Sequence, residues 1–437
     1  MVNSFNRTRS IFAASAPGRA DFLNTHQDYK GLPVVPVALD LRTYIVASRT
    51  NSPGIVEVVS MNLKERGERF EDTFAIQDPQ YSRKGFFGNY LRAVAKVALS
   101  SGNGKRAVQE KNFGLHVTIE SEVPLSAGLA SSAALEVAFA KLLDTIYRIG
   151  LDKKSVAEAA YRAENVELGI PCGRLDQYGS SFGGIILLEC KFPYRVKPIP
   201  FKRLCFVVAD SGIRHSTAEI HPLRQSDLNR GLEQLVENKS VPKKLKANLG
   251  LHYSEANWIR LSEEELTPYI STIEEVAKKR ILFTLRMQRS TEIALKAMKK
   301  QLRVKSILEE AEKVPGISEF LSGTIAGRSN SRLKILGQVM NYQHSLLRDL
   351  YDVSLPELEK TKDAMLKNGA YGAKISGAGL GGSLIGLVDD SKSGQRTLNA
   401  ALDAGAKQGW VSSVGEGARI ENANRSKIRK IIKLESN

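Results

Sequence analysis

The chain runs to 437 residues with 63 lysines and arginines against 47 aspartates and glutamates, a formal net charge of +16, and is 42% hydrophobic and 25% charged. That length exceeds one ordinary hydrophobic core and predicts two interlocked domains with a cleft between them, while the composition excludes the low-hydrophobicity class of disordered chains. Three cysteines, Cys172, Cys190 and Cys205, make no C-x-x-C pair and are odd in number, which argues against a disulfide framework or zinc knuckle and for a reducing compartment; no apolar run approaches the roughly 20 residues of a membrane span.

Arg7, Arg9 and several serines precede the first acidic residue, Asp21, a composition like that of a transit peptide, but the apolar run at 11–16 already reads as a strand entering a turn-rich loop. Residues 34–47 have strand chemistry and 87–99 a helical pattern. Strict alternation of Phe113, Leu115, Val117 and Ile119 marks a half-buried strand. It leads into a Gly/Ser loop, after which Ala133, Leu135, Val137, Ala138, Leu142 and Ile146 recur at helical spacing. A second helix over 154–168 stops at Gly169 and Pro171. Strands follow near 184–188 and 204–210. From 223 to 302 the chain turns charged and helical, with breaks at Pro242 and Pro268, and the division between the halves falls near there. Helices at 331–349 and 355–367, a glycine-rich hairpin at 372–388 and a closing helix and strand complete the order. The basic excess is scattered, and its dense run is Arg425, Lys427, Arg429, Lys430 and Lys433. Ile428, Ile431 and Ile432 interleave that run and no aromatic residue does, so it reads as a solvated C-terminal helix in preference to a nucleic-acid arm.

Four segments carry chemistry. Pro124-Leu-Ser-Ala-Gly-Leu-Ala-Ser-Ser132-Ala-Ala joins a strand to a helix, where small residues and the positive end of the helix dipole suit a phosphate; the other reading is a serine N-cap by Ser131 or Ser132. It is no Walker A loop, because G-x-x-x-x-G-K-[ST] does not occur. Lys374-Ile-Ser-Gly377-Ala-Gly379-Leu-Gly381-Gly382-Ser is followed by strand chemistry and not by the helix a dinucleotide site needs, which leaves either a close approach of a ligand or backbone, or a sheet corner. Asp176 lies in a break after a helix that carries Glu164; the two carboxylates suit a base and a metal ligand, or are surface charges. Arg19, Asp21, His26 and Asp28 crowd one loop, where a metal site and mutual satisfaction of polar groups are both open.

Taken together, these segments resemble a known family. Ala16-Pro-Gly-Arg19-Ala-Asp-Phe-Leu-Asn-Thr25-His26-Gln-Asp28-Tyr, the loop at 124–134 and the loop at 375–383 are similar, in order and spacing, to the three signature motifs of the GHMP kinase superfamily, and most of all to those of galactokinases. Residues 171–178 resemble that family's P-C-G-x-x-D-Q-[FY], 210–216 its N-S-x-x-R-H-S, and 348–358 its L-R-x-x-Y-x-V-S-x-P-E-L, so the likeness covers about residues 10 to 420. The resemblance implies an α+β GHMP kinase fold of two domains. The N-terminal half, 10–215, would be like domain 2 of ribosomal protein S5 and hold the phosphate loop; the C-terminal half, 216–420, would be ferredoxin-like, with the active site between the halves and a basic helical tail at 421–437.

It further implies an ATP- and Mg²⁺-dependent kinase acting on the anomeric C1 hydroxyl of a monosaccharide. Asp176 falls at the catalytic aspartate, with Arg19 beside it holding it ionised. Pro124, Ser126, Ala127, Gly128, Leu129, Ala130, Ser131, Ser132 and Ala133 fall at the nucleotide, and Ser132 with Glu164 at the metal. Arg19, Asp21, Thr25, His26, Asp28, Gly173, Asp176, His221 and Gly379 fall at the sugar. Two positions depart from galactokinases: Asn24-Thr25 stands for the usual Gly-Glu, whose glutamate accepts from the 6-hydroxyl, and His221 for a tyrosine before Pro222. A lost carboxylate favours galactose relatives altered at C6, such as galacturonate, arabinose or a fucose-like sugar. The competing readings are a catalytically silent sugar and ATP sensor, a kinase for a non-sugar alcohol such as mevalonate or homoserine, and a nucleic-acid binder. The partners expected are sugar and ATP, with no specific nucleic acid and no membrane, in a cytoplasmic monomer or homodimer. The helical stretch around 223–302 is longer than is usual in such kinases.

Overall fold

The alternating and apolar runs form strands in a computed structural model that describes residues 10–435, apart from 101, 126, 202–203, 215–216, 300–301 and 323–329. In chain order the strands are β1 (Ile11–Leu23), β2 (Val35–Thr50), β3 (Ile55–Ser60), β4 (Glu71–Ala75), β5 (Gly114–Ser121), β6 (Ile185–Glu189), β7 (Arg195–Ile199), β8 (Cys205–Asp210), β9 (Gly372–Ser376), β10 (Ser383–Val388), β11 (Gln408–Ser413) and β12 (Arg419–Ile420). The first sheet runs β12-β1-β2-β5-β3-β4, with β6 on β2 and β7 on β6; β3 and β5 are parallel and the other pairs antiparallel. The second runs β11-β8-β10-β9, all antiparallel. β8, which sequence reading put in the N-terminal half, is therefore bonded into the second sheet. β1 shifts register against β2 between Pro17 and Arg19 and again between Asp21 and Leu23. Such irregularities re-aim side chains, and these two bracket Arg19 and Asp21.

One apolar core passes through both halves: Phe22, Val35, Val37 and Leu39 of the first sheet pack with Phe206, Val208, Ile375, Leu384 and Ile385 of the second. A separate core under the first sheet joins Ile45, Val58, Leu115 and Val117 to Val137, Phe139 and Leu142 of the helix Ser131–Tyr147. The charged stretch after β8 forms the helices Thr217–Glu237, Lys243–Leu249, Glu263–Ile270 and Glu275–Met298 around Leu228, Leu232, Trp258, Leu266 and Ile281. Pro242 caps one of these helices and Pro268 lies inside another, so only the first proline acts as a break. Leu32, from the loop after β1, is buried in this helical core, so the insert anchors that loop.

The C-terminal helix Ser426–Glu435 is pinned by Ile428 and Ile431 on Ala13 and Val46 of the first sheet. Lys427 pairs with Glu120 and Glu122 at 3.0 and 3.1 Å, which neutralises part of the basic run. Among the described residues no helix is long and apolar enough to cross a membrane.

Candidate functional site

Arg19 and Asp176 stand 157 positions apart and meet where β1 passes the helix Leu175–Phe182. Nε and Nη2 of Arg19 both donate to Asp176 Oδ1, at 2.9 and 2.6 Å. Asp176 sits in the first turn of its helix, where the dipole favours an anion. That helix is fixed from behind, since Ser180 Oγ donates to the Pro17 carbonyl at 2.7 Å and the Ala418 amide to the Ser180 carbonyl at 3.1 Å. The net direction of the Asp176 pKa is nonetheless upward: burial is the largest cause, Arg19 pulls it down, and Asp21 adds to the rise. Arg19 favours the ionised form, as expected of it, and burial opposes it. The Asp176 side chain keeps 27% of its surface open against 7% for Arg19, so the carboxylate is the accessible partner and the cation the enclosed one.

The loop before the helix Ser131–Tyr147 lies against the same arginine, whose Nη1 donates to the Gly128 carbonyl at 2.8 Å and whose amide donates to the Leu129 carbonyl at 3.1 Å. The helix is capped by Ala130 at φ 58°, which makes no side-chain cap hydrogen bond, and no described side chain is seen to accept from its first turn. The N-cap role open to Ser131 or Ser132 is therefore not used, and the first amides have no side-chain acceptor competing for them. The second glycine loop explains itself by contact. A Cβ on Gly128, at φ +75°, would lie 2.8 Å from the Ser376 carbonyl oxygen, and one on Gly377 would lie 3.1 Å from Gly128 Cα. Ser383 Oγ donates to the Ala127 carbonyl at 2.7 Å. The backbone that comes close to the 375–383 loop is that of the loop at 124–134, which it braces.

The helix expected over 154–168 is α-helical over Lys153–Arg162 and widens to a π turn over Ala163–Glu167. Such turns rotate side chains off the α-helical face, and this one buries Glu164 against Ser132 at the start of the helix Ser131–Tyr147. Glu164 takes hydrogen bonds from Ser132 and Cys172 and from Gln177 Nε2 at 2.6 Å. Burial first, then Asp176, push its pKa up to about 7. A buried carboxylate held by a serine hydroxyl at the mouth of a glycine loop is a hard-oxygen pair that fits a divalent cation such as Mg²⁺. No group of three or more His, Cys, Asp or Glu that could hold a metal ion is found among the described residues.

On the other side of Asp176 lie the residues expected at the sugar. Asp21 spans the two sheets: its amide donates to Ser376 Oγ at 3.0 Å, its Oδ2 accepts from the Gly377 amide at 3.2 Å, and its Oδ1 lies 3.1 Å from Arg19 Nη1. Asp28 rests on Gly173, where an added Cβ would fall 1.6 Å from Oδ2, so any side chain there would displace the Asp28 carboxyl. Burial, then Asp176 and Asp21, raise Asp28 to about 6. His26, at φ 63°, stacks on Tyr351 with ring centroids 4.9 Å apart. Gly379 is packed on Val353, 2.6 Å from where its Cβ would be, so its closeness serves the backbone of that segment. Ser126 lies outside the described residues, as does the His221 side chain, though His221 belongs to the helix Thr217–Glu237.

The two departures from the galactokinase pattern have inward partners. Asn24 holds a left-handed φ of 63° that usually asks for glycine, and its side chain donates to the Pro33 carbonyl and to Gln288 Oε1 at 2.8 Å. The Thr25 hydroxyl accepts from Lys374 Nζ at 2.7 Å, and both residues are fully buried. The other two acceptors of Lys374 are the carbonyls of Asp21 and Ile375, and burial lowers its pKa to about 8.

Lys374, Gln177 and Glu136 went unassigned in the sequence, although each carries a signal: a lysine in a strand with every residue buried, an amide directly after Asp176, and a glutamate within an apolar helix. Tyr90, whose pKa burial and then Glu164 and Glu136 raise, borders the same acidic pocket without any mark in the sequence.

The chain is similar to known proteins along most of its length. Residues 89–184 match the N-terminal domain of GHMP kinases, 328–407 the GHMP kinase C-terminal domain, and 2–49 the galactokinase galactose-binding signature. A galactokinase of Chloroflexus aurantiacus is 31% identical over 86% of this chain and 83% of its own, and one of Pyrococcus furiosus is 26% identical over 90% and 93%. The crystal structure of Lactococcus lactis galactokinase complexed with galactose shares the fold with a TM-score of 0.69 at 22% identity, covering 95% of this chain and 96% of that one. The crystal structure of L. major mevalonate kinase in complex with R-mevalonate shares the fold with a TM-score of 0.58 at 19% identity, covering 95% of this chain and 99% of that one.

Proposed function

The chain belongs to the galactokinase family of GHMP kinases, and from that premise we propose that Asp176 and Arg19 direct the γ-phosphoryl of ATP onto the anomeric C1 hydroxyl of a monosaccharide. The observation that carries this is Arg19 in hydrogen bonds with both Asp176 and the phosphate-loop carbonyl of Gly128, which sets the acceptor-side carboxylate and the donor-side loop at a fixed separation. Asp176 orients or deprotonates the sugar hydroxyl, and the raised pKa given by burial suits a proton acceptor. Arg19 offsets charge leaving the γ-phosphoryl. The loop at 124–133 holds the nucleotide phosphates. Ser132 and Glu164 hold Mg²⁺, which when bound neutralises phosphate charge. Asp21, His26, Asp28 and Gly173 line the sugar side.

Galactose or a relative altered at C6 is the substrate we favour. At the position where galactokinases present a glutamate, this chain has a threonine whose hydroxyl is engaged by the Lys374 amine, so no carboxylate from position 25 meets the sugar. We further place the protein in the cytoplasm as a monomer or homodimer; three free cysteines support a reducing compartment.

The test is ADP release measured with galactose, galacturonate, L-arabinose and mevalonate in the presence of Mg²⁺. Turnover with a sugar and none with mevalonate is expected. Saturable sugar and ATP binding without ADP release would instead identify a sensor, and a clear preference for galactose over the other sugars would end the C6 argument.

A further inference from the structure

The helix that follows the phosphate loop buries Glu136 completely, and neither carboxyl oxygen meets a donor in ordinary hydrogen-bond geometry. The polar group facing it is the amide of Gln177, also fully buried. That amide donates through Nε2 to Glu164 Oε2 at 2.6 Å and lies 4.0 Å from Cys172 Sγ, while its own Oε1 has no donor. Glu136, Gln177 and Glu164 thus lie in file, and the last of them takes a hydrogen bond from Ser132 at the phosphate loop.

The middle place admits few side chains. A carboxylate there would set a third buried acid between two that already repel, and an apolar side chain would leave Glu164 without a fixed donor and Glu136 against hydrocarbon. A neutral amide adds no charge between them, and its short bond fixes Oε2 of Glu164 while the Ser132 hydroxyl bonds the same carboxylate from the loop side.

We propose that Gln177 is a positioning residue for phosphoryl transfer: it holds Oε2 of Glu164 so that the remaining oxygen meets the divalent cation of the nucleotide, and Glu136 is the wall that keeps the amide from turning. This rests on the reading of Glu164 as a ligand of that cation.

The experiment is Mn²⁺ binding, followed by electron paramagnetic resonance, to the full chain with a non-hydrolysable ATP analogue. Gln177→Leu and the volume-matched Gln177→Met are each expected to weaken Mn²⁺ affinity about 10-fold or more. The affinity for the analogue without metal and the KM for sugar should stay near wild type, and adding either change to Glu164→Gln should weaken binding no further. A purely structural role would lower Tm and shift every constant together, and that outcome overturns the proposal. Wild-type Mn²⁺ affinity in folded Gln177→Met, with Glu164→Gln weakened, overturns the role of Gln177 and leaves the site reading standing. Wild-type affinity in Glu164→Gln overturns both.

Discussion

Arg19 and Gly128 are joined by a hydrogen bond of 2.8 Å from Nη1 to the carbonyl oxygen, on the far side of the same guanidinium that holds Asp176. Lysine cannot reproduce this, because one ammonium on a flexible stem has no planar fork to reach two partners at fixed angles. Arg19→Lys is expected to lower kcat roughly 10²- to 10³-fold and to raise the KM for ATP, as the loop loses its tie. Steady-state kinetics with both substrates varied would show it; an unchanged KM for ATP would mean the Gly128 bond does not order the loop.

Removing the carboxylate acts differently. Asp176→Ala leaves Arg19 bonded to Gly128 and beside Asp21, so the loop keeps its support. The expected result is a kcat lower by roughly 10²- to 10⁴-fold with nearly unaltered affinity for an ATP analogue by calorimetry. A large loss of nucleotide affinity would show that Asp176 shapes the loop and not the transfer.

The contact between the two glycine loops can be tested at Gly128. Its φ of +75° disfavours a side chain, and a Cβ would meet the Ser376 carbonyl at 2.8 Å, an atom of backbone that cannot step aside cheaply. Gly128→Ala should cost about 1–3 kcal/mol in stability and raise the KM for ATP. Denaturant unfolding gives the first quantity. If stability is unchanged, the loops have room that the geometry denies.

Much of this could be read from the chain alone, and the limit has a physical cause. The strand at 113–119 was legible because alternation is a local property, and the helix at 331–349 because its apolar spacing is. The loop at 124–134 declared its backbone needs through small residues. What stayed hidden depends on distant partners: the Lys374 to Thr25 bond joins positions 349 apart, and Asn24 tolerates its left-handed φ while its side chain bonds Gln288, 264 positions on. The π turn at Ala163–Glu167 left no sequence mark, since one extra residue in a turn changes direction without changing periodicity over so short a span. The second glycine loop was ambiguous for the same reason: close approach was evident, and what approaches was not.

Asp28 gives a pH signature. Its pKa stands at about 6 against an ordinary 3.8, so the folded state binds the proton more tightly than the unfolded state does. Protonation therefore contributes stability that is complete below about pH 4 and is lost as pH rises through 6, at most about 3 kcal/mol from this group. Glu164, raised to about 7, slopes the same way, so the comparison must be with Asp28→Asn. The variant should lose part of the decline between pH 4.5 and 6.5 in urea unfolding and be the more stable protein above pH 6. Parallel curves would mean that Asp28 does not titrate in this window.

The substrate question reduces to what position 25 presents. Lys374 is a buried amine with three uncharged acceptors, and its pKa of about 8 leaves it mostly protonated near neutrality. A glutamate in place of Thr25 would have two possible fates: pairing with Lys374, or reaching past it to the sugar. Pairing removes a positive charge from beneath the site, and reaching adds an acceptor for a 6-hydroxyl; both disfavour a C6 carboxylate and the second favours galactose as well. Thr25→Glu is therefore expected to raise the ratio of kcat/KM for galactose over galacturonate about 10-fold or more, the scale of one charged hydrogen bond gained or lost. Comparing the two sugars with wild type and variant at pH 7 checks it, and a ratio that does not move would mean that the enclosed Thr25 and Lys374 pair has no bearing on what is bound at C6.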